Sequence, residues 1–378
     1  MRRAGYWILG WTLITTACVA CDEASTPDTS ATMPQDATAV TDRGQSGAGD
    51  TETGLAEGDA RAEQPRTGAP IFLTTMTHLE GSWRYDGAMG ARRFAGDVAK
   101  IRLAMETFSA HGAKLTIESE IPFAEMELVQ STGIFGALMA AGHGVGTHCD
   151  IPPDAPRVEP MVYAEEFGRR KAPMDMLVGA ENNLGCSGGQ GRSDWILGAH
   201  LAGFEYVDGT VAFGFLSMDE DQRPTGWTDA YILDEGHYHD NIPLELADRI
   251  HPYMMADATD MVPDPEDGVV LLSSGGMGRL DSQTERVHGV SCRPNCTFDE
   301  EDVEHALAAI EGALAVHDPS RVGKIDFYFP LANFEAAKLP YITAFLERVD
   351  REFIQTGRLQ WATQSDLYRA YAAWNERP

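Results

Sequence analysis

From Pro70 onward the chain alternates short apolar runs with longer amphipathic ones. Pro70–Leu79 reads as a buried strand. Arg93–His111 carries Phe94, Val98, Ile101, Leu103, Ala104 and Phe108 at helical spacing, with Gly112 as a stop. Ala113–Glu118 is strand-like, Ser131–Gly142 is helical with Ser131 as its cap, and Gly144–His148 is a third strand. A helix over Met161–Ala180, a short strand or loop over Asn183–Gly188, a helix over Asp194–Gly203 and a strand over Phe204–Val207 follow. Gly268–Ser273 is a buried strand, and Thr297–Glu300 forms a capping box that opens a helix running to His317. The strand Lys324–Phe329, the helix Leu339–Gln355, the strand Leu359–Trp361 and a helix from Asp366 close the pattern. Residues 210–262 show few periodic runs and read as an irregular insertion. Seven or eight strands with helices between them predict an α/β fold with a parallel sheet, most simply a distorted (β/α)7-8 barrel over residues 70–378.

The segment before that domain has another character. Arg2 and Arg3 precede an apolar run from Tyr6 to Ala20 that is short for a spanning helix, as in an export signal over residues 1–21. Cys18-Val-Ala-Cys21 resembles a bacterial lipobox, with Cys21 as the lipidated residue and Cys18 as the alternative. Residues 22–69 are rich in Ala, Thr, Asp, Glu, Gly, Ser and Pro and lack aromatic residues. Such a stretch buries too little apolar area to offset its ordering entropy, so it is expected to be a disordered acidic tether. The expected location is the cell envelope, with the lipid anchor as the one membrane contact.

The chain has 58 acidic against 29 basic residues, a net charge of -29. That balance argues against nucleic acid and against an anionic bilayer surface as partners. Four cysteines lie beyond the signal, and an oxidising compartment favours disulfides. Cys292 and Cys296 can close a short loop around Pro294, which leaves Cys149 for Cys186.

In parallel α/β folds the chemistry gathers at the carboxyl ends of strands. The first strand ends in His78-Leu-Glu80 and the third in His148-Cys-Asp150. Residues i and i+2 share a face of a strand, so each pair can aim two ligands at one place. Two imidazoles and two carboxylates suit zinc or a similar divalent ion. Weaker candidates are His237, His239 and Asp240 in the insertion, Trp83, Tyr85 and Trp195 as a sugar platform, and the glycine-rich Gly185–Gly191 as an anion cradle. His143 reads as a turn residue, and His200 and His305 as surface or core-edge residues within helices.

Together these segments resemble the polysaccharide deacetylase family of the glycoside hydrolase/deacetylase barrel superfamily. Thr77–Trp83 sits where that family has its first motif, at the end of strand one. Met139–His148 resembles the approach to its metal histidines, Leu201–Asp208 the step after its third motif, and Phe345–Tyr368 its closing segment. The chain departs from the family at four positions. His78 stands at the base aspartate, Pro152 at the second metal histidine, Cys186 near the motif-three arginine, and Phe329 at the late histidine. Class II α-mannosidases of the same superfamily bind zinc through an HxD at strand one, which parallels His78 and Glu80.

The resemblance implies a metal-dependent hydrolase that removes acetyl groups from an N-acetylated polysaccharide. Glu80, His148 and Asp150 would hold the metal, with His78 as fourth ligand or as base. Two alternatives stand beside it: a surface lipoprotein that binds glycan without turning it over, and a glycosidase using a carboxylate pair drawn from Glu80, Asp150, Asp240 and Glu118.

Overall fold

The computed structural model describes residues 68–80, 85, 87–152, 155–234, 237, 239–264, 267–273, 276–289 and 296–376, all within one compact unit, Glu63–Pro378. The export signal, Cys18, Cys21, Trp83 and Cys292 lie outside the described residues. The expected tether does not reach 69: Ala69 is buried and donates its N–H to the Pro319 carbonyl at 2.6 Å, so the ordered domain already includes it.

The elements begin β1 (Ile71–Leu79), α1 (Gly87–Ala110), β2 (Thr116–Ser119), α2 (Ile121–Gln130), α3 (Ile134–Ala140), β3 (Gly144–His148) and α4 (Pro160–Val178). They continue with β4 (Gly185–Ser187), α5 (Trp195–Leu201), β5 (Tyr206–Val207), α6 (Asp229–Ile232), α7 (Leu246–Arg249), β6 (Tyr253–Met255) and β7 (Val269–Leu271). The last are α8 (Gln283–His288), α9 (Glu300–Val316), β8 (Gly323–Tyr328), α10 (Leu339–Val349), β9 (Gln360–Trp361) and α11 (Gln364–Asn375). The strands form one sheet in the order β6-β7-β5-β4-β3-β2-β1-β8, with β9 paired to β1. Among the described strands only the β6–β7 pair is antiparallel. At the seam the carbonyl of Ile250 accepts from Lys324 N at 2.7 Å. The loop after β7 bonds along β8, through Met277 N to Asp326 O at 2.8 Å and Tyr328 N to Gly278 O at 3.0 Å. The expected barrel is therefore present, and irregular backbone closes it.

Alternation along the strands builds the layers. Leu73, Ile117, Val145, Ile325 and Phe327 face outward, where α1, α3, α9 and α10 cover them. On α1, Phe94, Val98, Ile101, Ala104 and Phe108 follow the helical period and are all buried. Inward, Phe72, Tyr206, Val270 and Leu272 pack with Leu367 of α11. A polar layer of Thr74, Glu118, Asp208, Lys324 and Asp326 shares that inner face, and all five are buried.

Several local expectations change. Ser131 closes α2 in the left-handed region (φ 52) and does not open α3. The cap of α9 is Asp299, boxed with Asp302, and not Thr297. Residues 210–262 carry a small core of their own around Phe215, Leu216 and Ile232, and contribute β6 to the sheet edge.

The Cys149–Cys186 disulfide is absent: both residues are buried free thiols. Thr147 is the register partner of Cys186, so Cys149 lies diagonally beyond it. Both thiols pack as small apolar groups among Phe167, Trp195 and Ile196. Cys296 is disulfide-bonded.

Candidate functional site

Three neighbouring parallel strands end in the same way. His78 is in register with Glu118 on β2, and Glu118 with Gly146 on β3. The last paired residues, Leu79, Ser119 and Thr147, are followed by Glu80, Glu120 and His148, which continue the same row. Each strand thus carries an i, i+2 pair on its inner face: His78 and Glu80, Glu118 and Glu120, His148 and Asp150.

Donor atoms of His78, Glu80 and His148 all lie within 4.8 Å of one another, and so do those of Glu120, His148 and Asp150. Of the four residues singled out in the sequence, His78, Glu80 and His148 form one triad, and Asp150 joins His148 in the other. Glu120, which opens α2, was missed. His78 Nδ1 is 2.8 Å from Glu80 Oε1 and His148 Nε2 is 3.4 Å from the same oxygen. The two imidazole rings stack at 4.1 Å. His148 Nδ1 meets Ser187 Oγ at 2.7 Å, which fixes the ring and leaves Nε2 for the cluster.

Beneath this row lies Glu118, fully buried, 3.2 Å from His78 Nε2. Neither its oxygens nor those of buried Asp208 meet a hydrogen-bond donor in good alignment. Two glycines make the arrangement possible. A methyl at Gly146 would stand 3.1 Å from Glu118 Oε1. Gly188, at φ +67, passes so close that its methyl would stand 2.9 Å from Asp150 N and 3.0 Å from His148 Cε1.

The electrostatics follow from burial and crowding. Burial opposes a charge on His78, but Glu118 and Glu80 outweigh it and raise its pKa to about 10. Burial would raise Glu80, yet His78 and His148 bring it down to about 2. Burial and the neighbouring His78 lower His148 to about 4, so it is neutral with a free lone pair at pH 7. Glu120 is pushed up to about 7 by burial, then by Asp150 and Glu80. Asp208 is raised by burial and by Glu118, which makes it the protonated member of that pair. Carboxylates gathered until one resists ionisation, beside a neutral imidazole, are a donor set that fits a divalent cation.

The other candidates fall elsewhere. Tyr85 packs on Phe94 and Phe123, and Trp195 is buried with its indole N–H on Gly214 O at 3.1 Å, so neither forms a platform. The stretch Gly185–Gly191 is packed against aromatic side chains: Gly185 abuts the Tyr206 ring, and Gly189 abuts Phe167. His237 is paired with Asp240 at 3.0 Å. His143 is buried in the turn after α3, bonded to Ser109 Oγ at 2.9 Å. Phe329 is a buried core residue against Phe108 and Phe334.

No family model and no curated protein matches the sequence. Solved structures do match. A putative polysaccharide deacetylase from Mycobacterium smegmatis is 11% identical at TM-score 0.53, over 83% of this chain and 94% of that one. Puue allantoinase is 14% identical at TM-score 0.52, over 83% and 94%. A probable polysaccharide deacetylase from Pseudomonas aeruginosa PAO1 is 13% identical at TM-score 0.51, over 82% and 93%. The fold is that of these deacetylase and allantoinase barrels.

Proposed function

We propose that this protein is a metal-dependent hydrolase that removes acetyl groups from an N-acetylated carbohydrate at the cell envelope. The convergence of His78, Glu80 and His148, with Glu120 and Asp150 around the same His148, carries the reading. The deacetylase names of two fold neighbours support the reaction class, and the lipobox-like Cys18–Cys21 supports the location.

Glu80 and His148 would hold the ion at the centre, with Glu120 and Asp150 completing the set from β2 and β3. Imidazole and carboxylate donors suit zinc. The bound ion would polarise the amide carbonyl and lower the pKa of water.

His78 has two assignments, ligand or proton carrier, and its surroundings favour the second. Nδ1 faces Glu80 and Nε2 faces Glu118, so both carboxylates favour the protonated ring. It then stands ready to hand a proton to the departing amine nitrogen. Ser187 keeps His148 from turning, and Glu80 does the same for His78.

The test is metal analysis of the purified full chain, followed by acetate release from chitin oligomers or peptidoglycan fragments. Glu80→Ala or His148→Ala should abolish both metal content and acetate release and leave the fold intact. Absence of stoichiometric metal, with no acetate and with glycan affinity untouched by either replacement, would sink the enzyme and favour a binding module.

A further inference from the structure

In a chain with net charge -29, two arginines stand together with no carboxylate in ion-pair distance among the described residues. Arg249, at the end of α7, and Arg286, in α8, both donate to the side-chain oxygen of Asn241, Arg286 through Nη2 at 2.6 Å. That amide orientation is the one the surrounding donors require. Arg249 Nε is buried and bonded to nothing. The acids that act on the pair are Glu245 on Arg249 and Asp240 on Arg286. Among the described residues, neither arginine has a carboxylate within ion-pair distance. Asp240 is engaged by His237 at 3.0 Å and by Tyr231 at 2.9 Å. Most arginines of the domain are matched differently: Arg279 pairs with Asp281 at 2.8 Å, and Arg192 and Arg223 share Asp229.

Two guanidinium groups sharing one neutral acceptor repel each other, and desolvation together with that repulsion lowers the pKa of Arg286. The arrangement is costly by itself and becomes favourable once an oxyanion accepts from both forks.

Its position joins it to the candidate site. Arg286 Nη1 lies so close to Gly278 that a methyl there would stand 2.7 Å away. The Gly278 carbonyl accepts from Tyr328 N at 3.0 Å, and the Tyr328 ring lies 4.9 Å from the His78 ring. Asp240, next to Asn241, belongs to the insertion whose His239 acts electrostatically on Glu80. These contacts place the pair at the carboxyl end of the barrel, on the side of His78 and Glu80.

We propose that Arg249 and Arg286 form an anion subsite, which takes an oxyanion group carried by the saccharide substrate next to the sugar being hydrolysed. The shared chemistry is a carboxylate, sulfate ester or phosphate ester, so the substrate class is an acidic glycan. As a specificity device this rests on the hydrolase reading, but the binding itself does not.

The experiment has two arms on the full chain. In the first, glucuronate, inorganic sulfate and inorganic phosphate are titrated calorimetrically against wild type, Arg286→Gln and Glu80→Ala. Arg286 is exposed, so its replacement spares the core, and Arg249→Gln serves as a second variant. The expected result is binding of at least one anion, weakened tenfold or more by Arg286→Gln and unchanged by Glu80→Ala. The anion bound most tightly identifies the group. No binding by wild type, or equal binding by Arg286→Gln, overturns the subsite. In the second arm, acetate release is compared between neutral N-acetylated oligomers and oligomers bearing the preferred anion. Arg286→Gln should raise KM tenfold or more for the acidic oligomer alone, and an equal effect on both overturns the specificity role. If wild type hydrolyses neither oligomer, the hydrolase reading fails while the first arm still decides the subsite.

Discussion

Replacing Lys324 by Met tests whether the polar layer inside the barrel is balanced as described. The Lys324 side chain has no exposed surface, donates to Asp208 O at 2.8 Å and lies 3.9 Å from Asp326 Oδ2. Asp326 also accepts from Thr74 Oγ1 at 2.6 Å and from Gln364 Nε2 at 3.2 Å. At the 3.9 Å separation, an effective dielectric of about 20 gives roughly 4 kcal/mol of attraction. Breaking a buried pair by removing one partner costs about 3–5 kcal/mol, because the other charge is stranded. The two magnitudes agree, so Lys324→Met should lose about 4 kcal/mol, near 10 °C in melting temperature for a domain of this size. The double variant Lys324→Met/Asp326→Asn removes the stranded charge and keeps an acceptor for Thr74, so it should regain most of that loss. Urea titrations of wild type and both variants measure it, provided the slopes agree. A single variant within about 1 kcal/mol of wild type, or a double variant no better than the single, would refute the balance.

Further outcomes follow from the site. Metal affinity should rise with pH, because Glu120, raised to about 7, must release its proton to act as a ligand; a flat profile from pH 6 to 9 counts against the assigned set. In the metal-free protein the His78 contribution to stability is complete below its unfolded value of 6.5 and lost as pH rises through about 10. The Glu80 contribution is complete above 4.5 and lost as pH falls through about 2. Glu120→Gln should weaken metal binding while the fold persists, as read by metal titration and circular dichroism. Gly188→Ala, forced into φ +67 against His148, should cost about 1–3 kcal/mol and weaken metal binding, and unaltered binding would show that the site tolerates displacement. Mass spectrometry of the mature protein should find lipid on Cys21, and an unmodified terminus further along would leave secretion alone.

The barrel was legible because strands buried on both faces read as apolar runs and the helices between them keep their period. His78, Glu80, His148 and Asp150 were legible because an i, i+2 alternation of ligand types is visible without knowing the register. Glu118 and Glu120 have the same alternation. Their strand was expected to end at Glu118, and it continues to Ser119, so Glu120 fell outside the pattern. The role of Asp208 needed the tertiary structure, since a single acid after a short strand carries no local signal. The Cys149–Cys186 pairing failed for a related reason: adjacent parallel strands place the two thiols on one face, but one diagonal step apart. Local capping was misread where two acceptable caps compete, as Thr297 and Asp299 do before α9.

The seam of the barrel has a consequence for motion. Elsewhere the sheet is held by continuous ladders, but between β8 and its neighbours across the gap the bonds come from Ile250 and from the loop 276–279. Such bonds open locally at low free energy, without unzipping a strand pair. The same loop carries Gly278, against which Arg286 rests. Opening at the seam would loosen the Arg286 contact without breaking the strand ladders that hold Glu80, Glu120 and His148. The strands that carry Glu80, Glu120 and His148 stay in register, and amide exchange should be fastest along that one meridian of the barrel.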